Sequence, residues 1–150
     1  MNRPLSKTRR SVSLAQLRPA TPADLPAIRR IEQATAETAH WPDIDYFAYD
    51  CLIAEVDLSV AGYLLSRPVA EAESEVLNIA VAPGFRRRGI ASALIRSRAA
   101  ASAGDWFLEV RESNTAARNL YKNIGFEEIG RRPSYYDNPP ETAIVMRFRS

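Results

Sequence analysis

The stretch Val76-Leu77-Asn78-Ile79-Ala80-Val81-Ala82-Pro83-Gly84-Phe85-Arg86-Arg87-Arg88-Gly89-Ile90-Ala91 carries the reading of the fold. Its opening residues are an almost continuous apolar run, which predicts a buried central strand over Glu75–Ala82. Pro83-Gly84 ends that strand. A helix is expected over Gly89–Ser102, with Ile90, Leu94 and Ile95 as its apolar stripe and Gly104 as its stop. Three guanidinium groups, Arg86–Arg88, therefore stand at a helix N-terminus, where the dipole is already positive. An anion at that end resolves the conflict. Backbone N–H groups then converge on phosphate oxygens, Gly89 allows close approach, and arginine supplies charge. A solvated basic turn before a surface helix is the bland alternative. The chain contains no G-x-G-x-x-G and no G-x-x-x-x-G-K-[ST], so the common nucleotide loops are absent.

Working outward, partial alternation at Val12 and Leu14 predicts a first strand over Ser11–Arg18. Thr21, Pro22 and Asp24 then form a helix start ahead of Leu25, Ile28 and Ile31. Ala39–Tyr49 is aromatic, broken by Pro42, and reads as a loop holding at most a short helix. Cys51–Val56 and Val60–Ser66 flank the polar Asp57–Ser59, a hairpin signal, and Ala70–Ser74 reads as a polar link. Downstream, Trp106–Arg111 is a strand and Ser113–Ile124 a helix terminated by Gly125. Phe126–Arg132 and Ala143–Phe148 are strands joined by a Pro-rich loop around Pro139-Pro140. Strands with interspersed helices make the chain α/β or α+β with a mixed sheet.

The chain has 150 residues, 46% of them hydrophobic and 25% charged, which fits one ordinary globular domain and excludes wholesale disorder. One Cys (Cys51) and one His (His40) exclude a disulfide framework and leave no multi-cysteine metal knuckle; no metal is expected. Lys+Arg number 20 against 18 Asp+Glu. Residues 1–10 hold Arg3, Lys7, Arg9 and Arg10 with no acid, so the rest of the chain carries 16 against 18. The basic excess belongs to a tail over residues 1–10 and not to the domain over residues 11–150, which argues against nucleic acid as a partner of the folded body. No apolar run approaches the roughly 18 residues of a membrane span, and the expected setting is cytoplasmic. Cys51, inside an apolar strand, reads as a small buried hydrophobe, and His40 as a loop residue of packing or surface role.

The central loop resembles the acetyl-CoA pyrophosphate motif of the GNAT acetyltransferase superfamily, R/Q-x-x-G-x-G/A, with Arg86, Gly89 and Ala91 at its spacings. More specific is Leu108-Glu109-Val110-Arg111-Glu112-Ser113-Asn114-Thr115-Ala116-Ala117-Arg118-Asn119-Leu120-Tyr121-Lys122-Asn123-Ile124-Gly125-Phe126. It resembles the L-E-V-R-x-S-N-x-x-A-x-x-L-Y-x-x-x-G-F signature of RimI-type enzymes, the ribosomal-protein N-terminal-alanine acetyltransferases. Gly130-Arg131-Arg132, Tyr135-Tyr136 and Ala143-Ile144-Val145-Met146 continue the match, which covers about half the chain. The resemblance implies a GNAT fold, a central twisted mixed β-sheet of about seven strands flanked by helices. That sheet should splay beside Ile79, Ala80 and Val81, whose main chain would meet the pantetheine arm of acetyl-CoA. It further implies that Arg86, Arg87, Arg88, Gly89, Ile90, Ala91 and Ser92 wrap the pyrophosphate and that Asn114 contacts the cofactor.

Acetyl transfer from a thioester to an amine needs a neutral amine, a polarised carbonyl and a proton for the departing thiolate. The family's catalytic Glu and Tyr match Glu109, as general base, and Tyr121, as acid. Arg131, Arg132, Tyr135 and Tyr136 precede the last strand, and the resemblance implies that Arg131, Tyr135 and Tyr136 line the acceptor groove. Each has a plainer reading: Glu109 as a solvated strand residue, Tyr121 as a packing aromatic, Asn114 as a helix cap, and the arginines as edge-strand charges. Three departures from the family touch the acceptor side. Glu141-Thr142-Ala143 lacks one carboxylate of the family's E-D-A, Trp41-Pro42 reverses its Pro-Trp, and the basic tail is extra. The expected partner is a protein N-terminus, on the family's pattern the N-terminal alanine of a ribosomal protein. Another protein N-terminus, Lys or a small amine is the first alternative. A non-catalytic CoA sensor is the second, and RNA or ribosome binding through the tail the third.

Overall fold

The computed structural model describes residues 14–35 and 45–150. The tail over residues 1–10, the expected start of the first strand, and the loop residues His40, Trp41 and Pro42 lie outside the described residues. Seven strands form one sheet: β1 (Gln16–Pro19), β2 (Asp50–Val56), β3 (Ser59–Ala70), β4 (Glu73–Val81), β5 (Asp105–Arg111), β6 (Glu127–Tyr136) and β7 (Glu141–Arg149). Their order across the sheet is β1-β2-β3-β4-β5-β7-β6. Every neighbouring pair is antiparallel except β4 and β5, which run parallel. Helices α1 (Leu25–Ala34), α2 (Ile90–Ala101) and α3 (Thr115–Ile124) cover the two faces.

Local chemistry explains the elements. At the entrance to α1 the Thr21 N–H donates to the Asp24 carboxylate at 2.7 Å, Pro22 starts a 3-10 turn, and the α-helix continues from Leu25. β2 and β3 turn on Asp57 and Leu58, both at positive φ, the twist that a two-residue hairpin requires. Asn114 caps α3, its Oδ1 accepting from the Ala117 N–H at 3.0 Å, and Gly125 at φ 125° ends that helix.

Three expectations are corrected. The polar link over Ala70–Ser74 is instead the tip of a long hairpin, with β3 running to Ala70 and β4 starting at Glu73. β6 reaches Tyr136, so the Arg131–Tyr136 segment is strand and the Pro-rich connection is a short turn before Glu141. Gly104 does not stop α2, which ends at Ala101 with Ser102 as its cap. It is required by a close approach: a Cβ there would lie 2.1 Å from the Ala72 carbonyl oxygen, at a φ of +132°.

Two apolar layers hold the sheet. Under α2 and α3 lie Leu64, Val76, Leu94, Ile95, Trp106, Leu108, Ile144 and Met146. Against α1 lie Ile28, Ile31, Ile53, Tyr63, Leu65 and Ala80. Each fully buried large side chain contributes roughly 1.5–3 kcal/mol. Burial pushes the thiol of half-buried Cys51 up to about 12, as an inert strand residue should behave.

The feature that shapes the rest lies on β4. Its register with β3 passes from Leu65↔Asn78 to Ser66↔Val76, so Leu77 is an extra residue, a β-bulge. Val76 therefore faces the α2 layer while Leu77 and Ala80 face the α1 layer. On its other side β4 pairs with β5 only through Glu73↔Asp105, Ser74↔Trp106 and Glu75↔Phe107. β4 then continues to Val81 and β5 to Arg111 with no further rung between them. No helix among the described residues is long and apolar enough to cross a membrane.

Gly104→Ala should lower unfolding stability by about 1–3 kcal/mol in urea titration, since it adds both strain and overlap; an unchanged midpoint would contradict the close approach. Asp24, bonded to Arg18 at 2.7 and 2.8 Å, has its carboxyl lowered to about 2, first by that guanidinium. A lowered carboxyl contributes stability above its unfolded pKa of about 3.9 and loses it as pH falls toward the folded value. Asp24→Asn should therefore cost about 1–2 kcal/mol at pH 7, after discount for the part-exposed Arg18, and little near pH 2. Equal losses at both pH values would rule out this ion pair as the cause.

Candidate functional site

The opening between β4 and β5 brings three groups of residues together. The first is the end of β4. Ile79, Ala80 and Val81 are paired to β3 through Leu64, Tyr63 and Gly62, but no rung of β5 reaches them. Their main chain borders the opening, while the Ala80 side chain is buried against the α1 layer.

The second group is the loop into α2. A 3-10 turn over Pro83–Phe85 leads to Arg87 at φ 63° and Gly89 at φ 72°, both left-handed. A Cβ at Gly89 would meet nothing within 4 Å, so open space faces this residue. Ile90 and Ala91 are buried by their side chains, and what they offer outward is backbone N–H. The first N–H groups of an α-helix have no partner within it. The Ser92 hydroxyl accepts from Arg96 Nε at 3.1 Å. Arg86 reaches the Val81 carbonyl at 3.4 Å, and the Arg88 guanidinium lies 5.3 Å from the Phe85 ring centre. Among the described residues, none of Arg86, Arg87 and Arg88 has a carboxylate partner. Exposed cations at a helix N-terminus, with no carboxylate partner among the described residues, fit a phosphate group in charge.

The third group surrounds Glu109, on the stretch of β5 beyond its last rung with β4. Its side chain is 15% exposed and ion-paired with Arg132 Nη1 at 3.0 Å. The Tyr135 hydroxyl donates to the same carboxylate, which raises that phenol. The Tyr136 phenol is pushed up to about 12, first by burial and then by the negative charge of Glu109. The two tyrosine rings meet edge to face at 5.0 Å. Tyr121, on α3, packs its ring on Phe126 at 5.8 Å; burial, with a smaller effect of Tyr136, pushes its phenol well up. Tyr136 is thus the electrostatic neighbour of both Glu109 and Tyr121.

Not every expected site residue joins these groups. Asn114 commits its side-chain oxygen to capping α3. Arg131 pairs with Glu112, and it is Arg132 that meets Glu109. Sequence reasoning gave no role to Arg111, which lies over the Tyr136 ring at 4.3 Å and bonds Glu141 at 3.2 Å. Glu141 did stand out in the sequence, as the carboxylate left in Glu141-Thr142-Ala143. No group of three or more His, Cys, Asp or Glu among the described residues could hold a metal ion.

Comparison with known proteins fits this geometry. The model of the acetyltransferase (GNAT) family matches residues 16–126. The chain is 34% identical over 134 residues to a ribosomal protein bS18-alanine N-acetyltransferase of Salmonella typhimurium, covering 82% of this chain and 89% of that one. The matched region covers between 38% and 65% of the length of several other curated relatives. Among solved structures, Ard1 from Thermoplasma volcanium superposes with a TM-score of 0.81 at 26% identity, covering 91% of this chain and 97% of that one. The ribosomal-protein-S18-alanine N-acetyltransferase of Escherichia coli gives 0.74 at 29% identity, covering 91% and 94%. A seven-stranded sheet opened between its two parallel strands, with a family match running from β1 to the end of α3, leaves one assignment: the chain belongs to the acetyltransferase (GNAT) family.

Proposed function

We propose that this chain transfers an acetyl group from acetyl-CoA to the N-terminal α-amine of a protein, with the N-terminal alanine of a ribosomal protein as its acceptor. The observation that carries the reading is the sheet opening, which sets a cluster of arginines without a carboxylate partner among the described residues on one side and Glu109 on the other. The acceptor class comes from the relatives, several of which are named ribosomal protein bS18-alanine N-acetyltransferase.

Acetyl-CoA supplies the activated acyl group as a thioester. Ile79, Ala80 and Val81 offer main-chain groups to its pantetheine arm. Arg86, Arg87 and Arg88, with the N–H groups at Gly89, Ile90, Ala91 and Ser92, hold its pyrophosphate. Glu109 takes the proton of the attacking amine, directly or through water. An α-amine, with a reference pKa of about 8 against about 10.4 for Lys, asks much less of that base. Tyr121 is the acid: an ordinary phenol is protonated at neutral pH, and burial pushes this one further up. It donates to the charge that develops on sulfur as the C–S bond breaks and supplies the proton of the departing thiolate. Tyr135 and Tyr136 form the acceptor wall beside Glu109. Asn114 is a cap first, and its amide N–H is what remains for a ligand. Arg131, held by Glu112, is left at the rim.

Release of CoA from acetyl-CoA, followed with short peptides starting in Ala, Ser or Met and with free Lys and polyamines, tests the assignment. Turnover of the Ala peptide is expected to lead; preference for polyamines would overturn the acceptor class, and CoA binding without turnover would indicate a sensor. Glu109→Gln should lower turnover about 100-fold or more and Tyr121→Phe about tenfold or more. CoA affinity should stay within twofold in both, and its loss in either would reassign that residue.

A second prediction concerns the cradle. Replacing Arg87 and Arg88 together with Ala should raise the KM for acetyl-CoA about tenfold at low salt, the loss of roughly one charge-assisted contact. The KM for the peptide should be unchanged. Because these side chains are exposed, the gap between variant and wild type should narrow in high salt. An effect on the peptide KM instead would place the arginines on the acceptor side.

A further inference from the structure

We propose that Arg111 is a positioning residue for the acceptor wall: it holds the β6–β7 hairpin against the end of β5 and thereby fixes Tyr136, Tyr135 and the face of Glu109. The inference rests on the acetyltransferase reading above. Its starting point is a gap in the ladder. β6 pairs with β7 at Arg132↔Ala143 and next at Tyr136↔Glu141, with the register broken between. Pro133, Ser134 and Tyr135 thus bow out of the sheet, Ser134 at a φ of 54°, and no rung sets where Tyr135 stands. Its side chain meets the Tyr136 ring, the Glu109 carboxylate and the Arg132 guanidinium, the last 5.7 Å from the Tyr135 ring centre.

The bowed segment ends at the Tyr136↔Glu141 rung, and Arg111 braces that end. Nη1 donates to the Pro139 carbonyl at 3.2 Å and to Glu141 Oε2 at 3.2 Å, and Nη2 to the Asp137 carbonyl at 3.4 Å. The face of the same guanidinium covers the Tyr136 ring at 4.3 Å. Every one of these contacts goes to one hairpin tip, from a residue two along β5 from Glu109. Glu141 extends the junction: its Oε1 accepts from the Ser113 N–H at 2.6 Å, just ahead of α3, which carries Tyr121. These two partners hold the Glu141 carboxyl below its usual range. One Arg–Glu junction therefore ties together the elements bearing Glu109, Tyr121, Tyr135 and Tyr136. Lysine could keep the charge but not the planar fork that meets two carbonyls, a carboxylate and a ring at once.

Steady-state kinetics with an Ala-initiated peptide and acetyl-CoA, on wild type, Arg111→Ala, Arg111→Lys and Glu141→Gln, tests the role. Arg111→Ala should raise the peptide KM about tenfold or more and lower kcat with it, since the face of Glu109 loosens with the wall, while the KM for acetyl-CoA stays within twofold. Arg111→Lys should recover part of the loss. Glu141→Gln, which keeps shape and removes charge, should shift the peptide KM in the same direction by a smaller factor, and so reads the junction even if Arg111→Ala folds poorly. A parallel rise in both KM values, or a fall in kcat alone, would make the junction a structural tie and overturn the positioning role. Wild type active and the peptide KM unmoved in all variants would do the same. A wild type that acetylates no α-amine peptide would bring down the acetyltransferase reading, and the positioning role with it.

Discussion

The parallel ladder between β4 and β5 stops at Glu75 and Phe107, and the functional half of the molecule depends on that stop. A parallel pair is slightly less stable per residue than an antiparallel one, and both strands here have stronger antiparallel partners on their far sides. Just beyond the last rung, Leu77 adds its extra residue to β4. A bulge bends its strand and increases local twist, so β4 turns away from β5 with β3 still attached. The bulge also changes which face each side chain takes, sending Val76 under α2 and Ala80 against α1. The sheet opens without losing its core, because the two apolar layers grip β4 on opposite faces across the bulge.

The opening separates charges of opposite sign. On the α2 side stand three arginines with no carboxylate among the described residues to answer them. On the β5 side stands Glu109, whose partners among the described residues include Arg132 and the Tyr135 hydroxyl. A ligand crossing the gap with its anionic end toward α2 satisfies the first group and brings its other end beside the second. The geometry orients such a ligand before any contact specific to its chemistry is made. Tyr121 stands apart from that polarity. It is carried by α3, and its phenol, neutral at physiological pH and pushed further up by burial, adds a donor without adding charge.

Much of this was legible in the sequence, for identifiable reasons. The apolar run at Val76–Val81, the Gly89 helix start and the Asn114–Gly125 helix are local signals, and local signals fix local structure. Glu109 and Tyr121 stood out as candidates only through their joint spacing, because neither residue alone departs from an ordinary strand or helix position. The β-bulge was not legible, since one extra residue in a continuous apolar run leaves no mark on its pattern. The extension of β6 through Arg131–Tyr136 was hidden as well: Pro133 reads as a strand breaker, yet it falls in the bow where no rung is made. For the same reason the sequence could not separate Arg131 from Arg132. Which of two adjacent arginines faces Glu109 depends on a register set by β7, far along the chain.

The same long-range logic bears on the missing carboxylate of Glu141-Thr142-Ala143. At first sight the lost acid weakens the acceptor side. In the structure Glu141 already divides its two oxygens between Arg111 and the Ser113 N–H, and so it satisfies both the guanidinium and the chain end leading into α3. Thr142 contributes through its backbone, whose carbonyl accepts from the Glu112 N–H at 3.0 Å, and a threonine does this as well as an aspartate. Arg111 thus already has a carboxylate partner in Glu141, at 3.2 Å. One carboxylate suffices because a single guanidinium gathers the hairpin tip. The departure from the family pattern therefore leaves the Arg111–Glu141 junction whole.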